Sequence, residues 1–213
     1  DLTVGQLARE LATPTDFLHY IGHCENGGLR CPDGTLSTAE LARSRTRTFF
    51  LNACGSYHEG IDLVEAGSMA GAVTLTAVLD EQAATVGTTF ARLLTHGFSI
   101  ERGMQIARRQ VLMGKDYAVV GDGTSSLVPV PEEEAVVHLT GRDGEYEVRY
   151  EVLTTDGKGQ RYDCPFDGTP RLCGDPTERT VSAARLRTAF DGRTLPVIYD
   201  GELHWSDDLA PRL

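Results

Sequence analysis

Two short and nearly unbroken apolar runs, DFLHYIG at 16–22 and TFFLNA at 48–53, narrow the folds open to this chain more than any other feature. A strand with one wet face alternates apolar and polar residues, so a run without alternation reads as a strand covered on both faces. Cover on both faces requires helices above and below, and hence a largely parallel α/β sheet. The surrounding pattern agrees. Val4, Leu7, Ala8 and Leu11 recur at helical spacing, with Pro14 as the stop. Ala83, Val86, Phe90, Leu93 and Leu94 mark a second helix ended by Gly97, and Ile100, Met104, Ala107 and Val111 mark a third. AVTLTAV (72–78) and YAVVG (117–121) read as further strands. Pro32-Asp33-Gly34 between LRC and TL predicts a small hairpin, and Ser37 with Glu40 a capping box opening a short helix.

From Ser125 onward the texture changes. AVVHLTG, YEVRYEVLTT and LPVIYDGELHW are strand-like and separated by turns such as Arg142-Asp143-Gly144 and Thr155-Asp156-Gly157, and only SAARLRTAF (182–190) is helical in pattern. The expectation is an α/β domain over 1–127 and a β-rich appendage over 128–213, joined through Pro129–Pro131.

A chain of 213 residues can bury one substantial core, or one core and a small appendage. Its formal net charge of −11 and scattered basic residues argue against a nucleic-acid backbone as the partner. No apolar run approaches the roughly 18 residues of a membrane span, no charged-then-apolar leader opens the chain, and five cysteines cannot all pair. These features predict a soluble cytoplasmic protein with reduced thiols. Cys164 and Cys173 read as isolated thiols, His58, Glu59 and Asp62 as surface residues, and His96 as a helix-end cap.

His23 directly follows the first apolar run and Cys54 directly follows the second. If these runs are neighbouring parallel strands about 4.8 Å apart, both side chains emerge at the carboxyl edge, where open α/β sheets build their sites. A thiol is a poor nucleophile until ionised, and an adjacent imidazole can take its proton. The rival reading is a metal site made of His19, His23, Cys24 and Cys31. On a strand, however, residues 19 and 23 stand about 13 Å apart, too far to share one ion. The metal reading is therefore set aside, and His19 reads as a hydrogen-bonded core residue.

LHYIGHC and FFLNACGS resemble two strand ends of the CHAT family of caspase-like and separase-like cysteine peptidases. AGSMAGAVTLTAVLDEQAATVGTTFARLLTHGFSIERGMQIARRQVL and YAVVGDGTSSL follow the same family's order of strand, acidic residue, two helices and closing strand. The resemblance covers residues 16 to about 127. It implies a caspase-like three-layer sandwich with a mostly parallel sheet, followed by the β-rich C-terminal region. A chain that opens at Asp1 without methionine then reads as a fragment lacking the fold's first strand.

The resemblance also implies His23 as general base, Cys54 as nucleophile, the N–H groups of Cys24 and Cys54 as oxyanion donors, and Gly22 as the residue giving room to turn. Asp80 stands either as the selector of a basic P1 residue or as a helix N-cap. Two positions depart from the family pattern: Cys24 replaces a glycine and Gly55 a glutamate. The implied function is an endopeptidase of a prokaryotic defence or signalling system, acting on a peptide or protein and switched by a partner; an endopeptidase reading of the pair calls for no metal and no organic cofactor. The alternatives are a catalytically inactive CHAT-like scaffold or partner-binding module, and a redox sensor forming a Cys24–Cys54 disulfide.

Overall fold

In a computed structural model describing residues 1–25, 27–77, 79–111, 116–128, 134–142, 144–153, 161–174 and 176–213, the chain divides into two units, Asp1–Pro129 and Val130–Leu213. The expected joint at Pro129–Pro131 and the turn at Thr155-Asp156-Gly157 lie outside the described residues.

In the first unit α1 (Val4–Ala12) leads into β1 (Thr15–Ile21), followed by a hairpin of β2 (Leu29–Cys31) and β3 (Gly34–Leu36). Then come β4 (Thr46–Asn52), α2 (Tyr57–Glu65), β5 (Ala70–Thr74), α3 (Asp80–Thr95), α4 (Ile100–Ala107) and β6 (Tyr117–Gly121). Four of these strands form a sheet in the order β1-β4-β5-β6, the first three parallel. β6 runs antiparallel to β5 because two helices, not one, separate them, so the chain re-enters the sheet at the same edge where β5 ends.

Strand alternation distributes the helices. Phe49 and Leu51 of β4 pack with Leu7 and Leu11 of α1 and Leu63 of α2. Phe50, between them, points the other way, with its ring centroid 5.4 Å from Phe90 of α3 and 6.1 Å from Tyr117. A Cβ on Gly103 of α4 would lie 3.3 Å from the Phe90 ring, so α4 shares that face. The unit is thus three layers, helices on both faces of a mixed sheet. Close approach is bought with glycine: a Cβ at Gly71 would stand 2.1 Å from the Phe49 ring, and one at Gly60 of α2 2.3 Å from Val73.

Two local expectations need correction. β1 is only partly covered: Phe17 and His19 meet Phe90 and Phe50 on one face and Leu18 and Tyr20 meet the other core, but as the sheet's outer strand it has no fully buried residue, whereas all of β4 but Arg47 is buried. Nor does Ser37 cap a helix: Thr38–Glu40 form a single 3₁₀ turn, and the Ser37 side chain makes no capping hydrogen bond.

The second unit carries β7 (Glu134–Arg142), β8 (Glu145–Leu153), β9 (Arg161–Asp163), β10 (Pro170–Leu172), β11 (Thr177–Ser182), α5 (Ala183–Phe190), β12 (Pro196–Tyr199), β13 (Glu202–Trp205) and α6 (Ser206–Leu209). Five strands pair in the order β11-β8-β7-β12-β13, all antiparallel except β7 with β12. Val137, Leu139, Val148, Tyr150, Phe166, Leu186, Phe190 and Val197 are buried together as its core. The run LPVIYDGELHW is a hairpin, not one strand. Asp200 (φ 47°) and Gly201 (φ 92°) are both left-handed, the backbone that an Asp-Gly two-residue turn supplies. No helix among the described residues is long and apolar enough to cross a membrane.

Candidate active site

β1 and β4 pair in parallel with Ile21 opposite Asn52. His23 and Cys54, each two residues further on, therefore leave neighbouring strands side by side. Both line a cleft of 360 Å³ with His19, Ile21, Gly22, Asn52, Ala53 and, from α3, Ala83, Ala84, Gly87 and Thr88. His23 is exposed and Cys54 half-buried, so the imidazole and the thiol are both open to a ligand.

The turn carrying Cys54 is fixed by its neighbours. Gly55 takes φ 70°, a left-handed conformation that favours glycine, and so turns β4 into α2 directly after the cysteine. The Gly55 N–H donates to the Thr76 carbonyl at 3.2 Å. Ser56, fully buried, donates to the Leu51 carbonyl at 2.8 Å and accepts from the Thr74 N–H at 3.2 Å, while the Thr74 hydroxyl donates to the Ala53 carbonyl. The N-terminus of α2, with the positive end of its dipole, thus begins three residues after Cys54.

The His23 segment is held otherwise. The Tyr20 hydroxyl reaches the carbonyls of His23 (2.9 Å) and Arg30 (2.7 Å), and the Arg30 N–H donates to the His23 carbonyl at 2.9 Å. Gly22 makes this possible through space: a Cβ there would stand 2.7 Å from the Tyr20 oxygen. Cys24 forms a bridge with Leu29 whose hydrogen bonds run from Arg30 to His23 and from Glu25 to Gly28. In such a non-hydrogen-bonded pair the N–H and C=O of Cys24 itself point away from Leu29.

Glu59 is not the surface residue that the sequence suggests. It lies in the first turn of α2, 4% exposed, with its carboxylate close enough to the Cys24 thiol to act on its protonation. Burial, then hydrogen bonding to this carboxylate and the carboxylate's charge, push the Cys24 thiol up to about 12, with a smaller contribution from Cys54. Cys24 is accordingly a protonated donor beside the cleft. Tyr117 was legible as core, but not its closeness to Cys54. Its hydroxyl is pushed up to about 12 by burial, then by Cys54 and by Asp116. Neither the Tyr117 hydroxyl nor Asp116 Oδ2 has a hydrogen-bond partner among the described residues.

His19 also departs from expectation. Its ring stacks on Phe50 at 4.8 Å and 12°, and burial lowers its pKa, but Nε2 is buried without a partner. Asp80 opens α3, and its side chain lies outside the described residues. His58 is exposed in α2 with its ring against Tyr57, and Asp62 is half-buried, accepting from Thr38 at 3.1 Å. His96 ends α3, its Nδ1 2.7 Å from the Arg92 carbonyl. Among the described residues no three His, Cys, Asp or Glu side chains gather to hold a metal ion, and none of Cys24, Cys31, Cys54, Cys164 and Cys173 is in a disulfide.

Glu59 left a trace in the sequence. Ser56-Tyr57-His58-Glu59 has the spacing that opens helices, and Gly60 and Leu63 continue a buried face. Comparison of the chain with protein-family models and with curated proteins finds no match.

Proposed function

We propose that this protein is a cysteine peptidase of the caspase-like CHAT type, hydrolysing peptide bonds with His23 and Cys54. The observation that carries the proposal is the shared cleft: an exposed imidazole and a half-buried thiol leave adjacent parallel strands in the same register and line one 360 Å³ cavity. The three-layer arrangement of the first unit is the architecture that such a fold uses, and its four-stranded sheet is open at β1.

In this reading the Cys54 proton passes to His23 and the thiolate attacks the substrate carbonyl carbon. The oxyanion that forms accepts hydrogen bonds from the N–H groups of Cys24 and Cys54. Collapse of the intermediate breaks the C–N bond, the leaving amine takes the proton from His23, and water deprotonated by His23 then cleaves the thioester. The outward turn of the Cys24 backbone supports its role as donor. The replacement of the family's glycine by Cys24 is accommodated because that thiol is occupied with Glu59. A basic P1 residue held by Asp80, at the head of α3, is the alternative that the resemblance offers, and an activating partner in a prokaryotic defence or signalling system likewise follows from the resemblance alone.

The test is cleavage of a fluorogenic peptide library by wild-type protein and by Cys54→Ala and His23→Ala. Turnover by wild type with loss of at least about 10³-fold in both variants is the expected result. Equal cleavage by all three refutes the dyad, and no cleavage by any leaves the cleft to the scaffold reading.

A further inference from the structure

The wall of the cleft facing Cys54 contains hydrogen-bonding capacity that the peptidase reading does not use. Asn52 is 5% exposed, and its Nδ2 donates to the Ala83 carbonyl at 2.9 Å, which fixes the amide so that Oδ1 is the atom left over. That Oδ1 is buried and has no hydrogen-bond partner among the described residues, and neither has the buried His19 Nε2. The two side chains are neighbours. A Cβ built on Gly87 would lie 3.3 Å from Asn52 Nδ2 and 3.5 Å from His19 Nε2. Gly87 is also a lining residue, as are Ala83, Ala84 and Thr88, so this stretch of α3 leaves a recess where larger residues would fill it. An unpaired buried polar atom is costly, about 1–3 kcal/mol, and two in one recess at a cleft wall are satisfied most simply by a ligand.

We infer that this recess is the subsite for the substrate side chain preceding the cut, and that it takes a carboxamide, the side chain of Asn or Gln. The inference rests on the peptidase reading and adds the substrate class. Asn52 Oδ1 accepts one amide N–H. Burial keeps the His19 ring neutral, and a primary amide satisfies Nε2 in either tautomer, donating its second N–H or accepting through its carbonyl. An ammonium or guanidinium meets only neutral groups among the described residues of this recess, so its desolvation goes uncompensated there. A carboxylate fares worse: no Lys or Arg is among the described residues that line the cleft, and Oδ1 would repel it.

The test uses peptidyl acyloxymethyl ketones differing only in the residue next to the ketone: Gln, Asn, Lys, Asp or Ala. Cys54 alkylation, in which the sulfur bonds the methylene carbon and a carboxylate leaves, is timed by mass spectrometry of the Cys54 peptide. Wild type is expected to react at least roughly tenfold faster with the Gln or Asn probe than with Lys or Asp. Gly87→Ala, checked for folding by its melting curve, should bring the amide probes down to the rate of the Ala probe. Cys54 labelling with equal rates, with a Lys or Asp preference, or with an amide preference untouched by Gly87→Ala overturns the subsite and leaves the nucleophile standing. Absence of labelling at Cys54 by every probe overturns both.

Discussion

The Cys24 thiol stands close to the Glu59 carboxylate, a buried acid in the first turn of the helix that follows Cys54, and this acid helps to raise its pKa. The pair joins the two segments that carry His23 and Cys54. A thiol held at about 12 stays protonated at any physiological pH.

Glu59→Gln tests this directly. The amide keeps an acceptor for the S–H but removes the negative charge, so the Cys24 pKa should fall from about 12 toward the ordinary 9.0. Iodoacetamide alkylation of the Cys24 peptide, followed against pH in a Cys54→Ala background, should show its half-maximal rate at lower pH in the variant. An unmoved profile would dismiss the contact.

His19 makes a prediction about stability. Burial lowers its folded pKa below 6.5, so the unfolded chain binds this proton more readily. The stabilisation is complete above pH 6.5 and is lost as pH falls below it. His19→Phe keeps a ring against Phe50 and should flatten this limb of the urea midpoint against pH. A variant with the same slope as wild type would show that other groups set it.

Tyr20→Phe removes the hydroxyl that reaches the His23 and Arg30 carbonyls. The loss should be about 1 kcal/mol in stability, with a fall on the order of tenfold in peptide turnover as the base loses its alignment. Unchanged kcat/KM with reduced stability would restrict Tyr20 to a structural role.

Gly71→Ala would place a Cβ 2.1 Å from the Phe49 ring in the middle of the sheet. Overpacking of this kind costs about 1–3 kcal/mol, read from the urea midpoint. A neutral result would mean that Phe49 has a second rotamer open to it.

How much of this was legible in the sequence depends on whether the signal was local. β4, α1, α3 and the β2–β3 hairpin follow from apolar spacing and turn residues, and their positions match the expectation closely. The side-by-side exits of His23 and Cys54 follow from the same reasoning. β1 looked doubly buried because hydropathy cannot tell an outer strand from an inner one; the outcome depends on whether a neighbour is present. The S-x-x-E spacing occurs at Ser37 and at Ser56, and neither serine caps a helix. Ser56 instead turns its hydroxyl to Leu51 and Thr74, a choice made by the sheet and invisible in the local sequence. Glu59 was taken for a solvated acid for the same reason: its partner is 35 positions away at Cys24.

The two halves of the pair are mounted unequally. Cys54 sits on an elbow riveted by Ser56, Thr74 and Thr76 to β4 and the end of β5, while His23 hangs from a phenol and one amide at the rim of a hairpin. Any adjustment of their separation therefore falls to the histidine, and an effector that pulled on the hairpin could bring the imidazole into or out of reach without disturbing the sulfur.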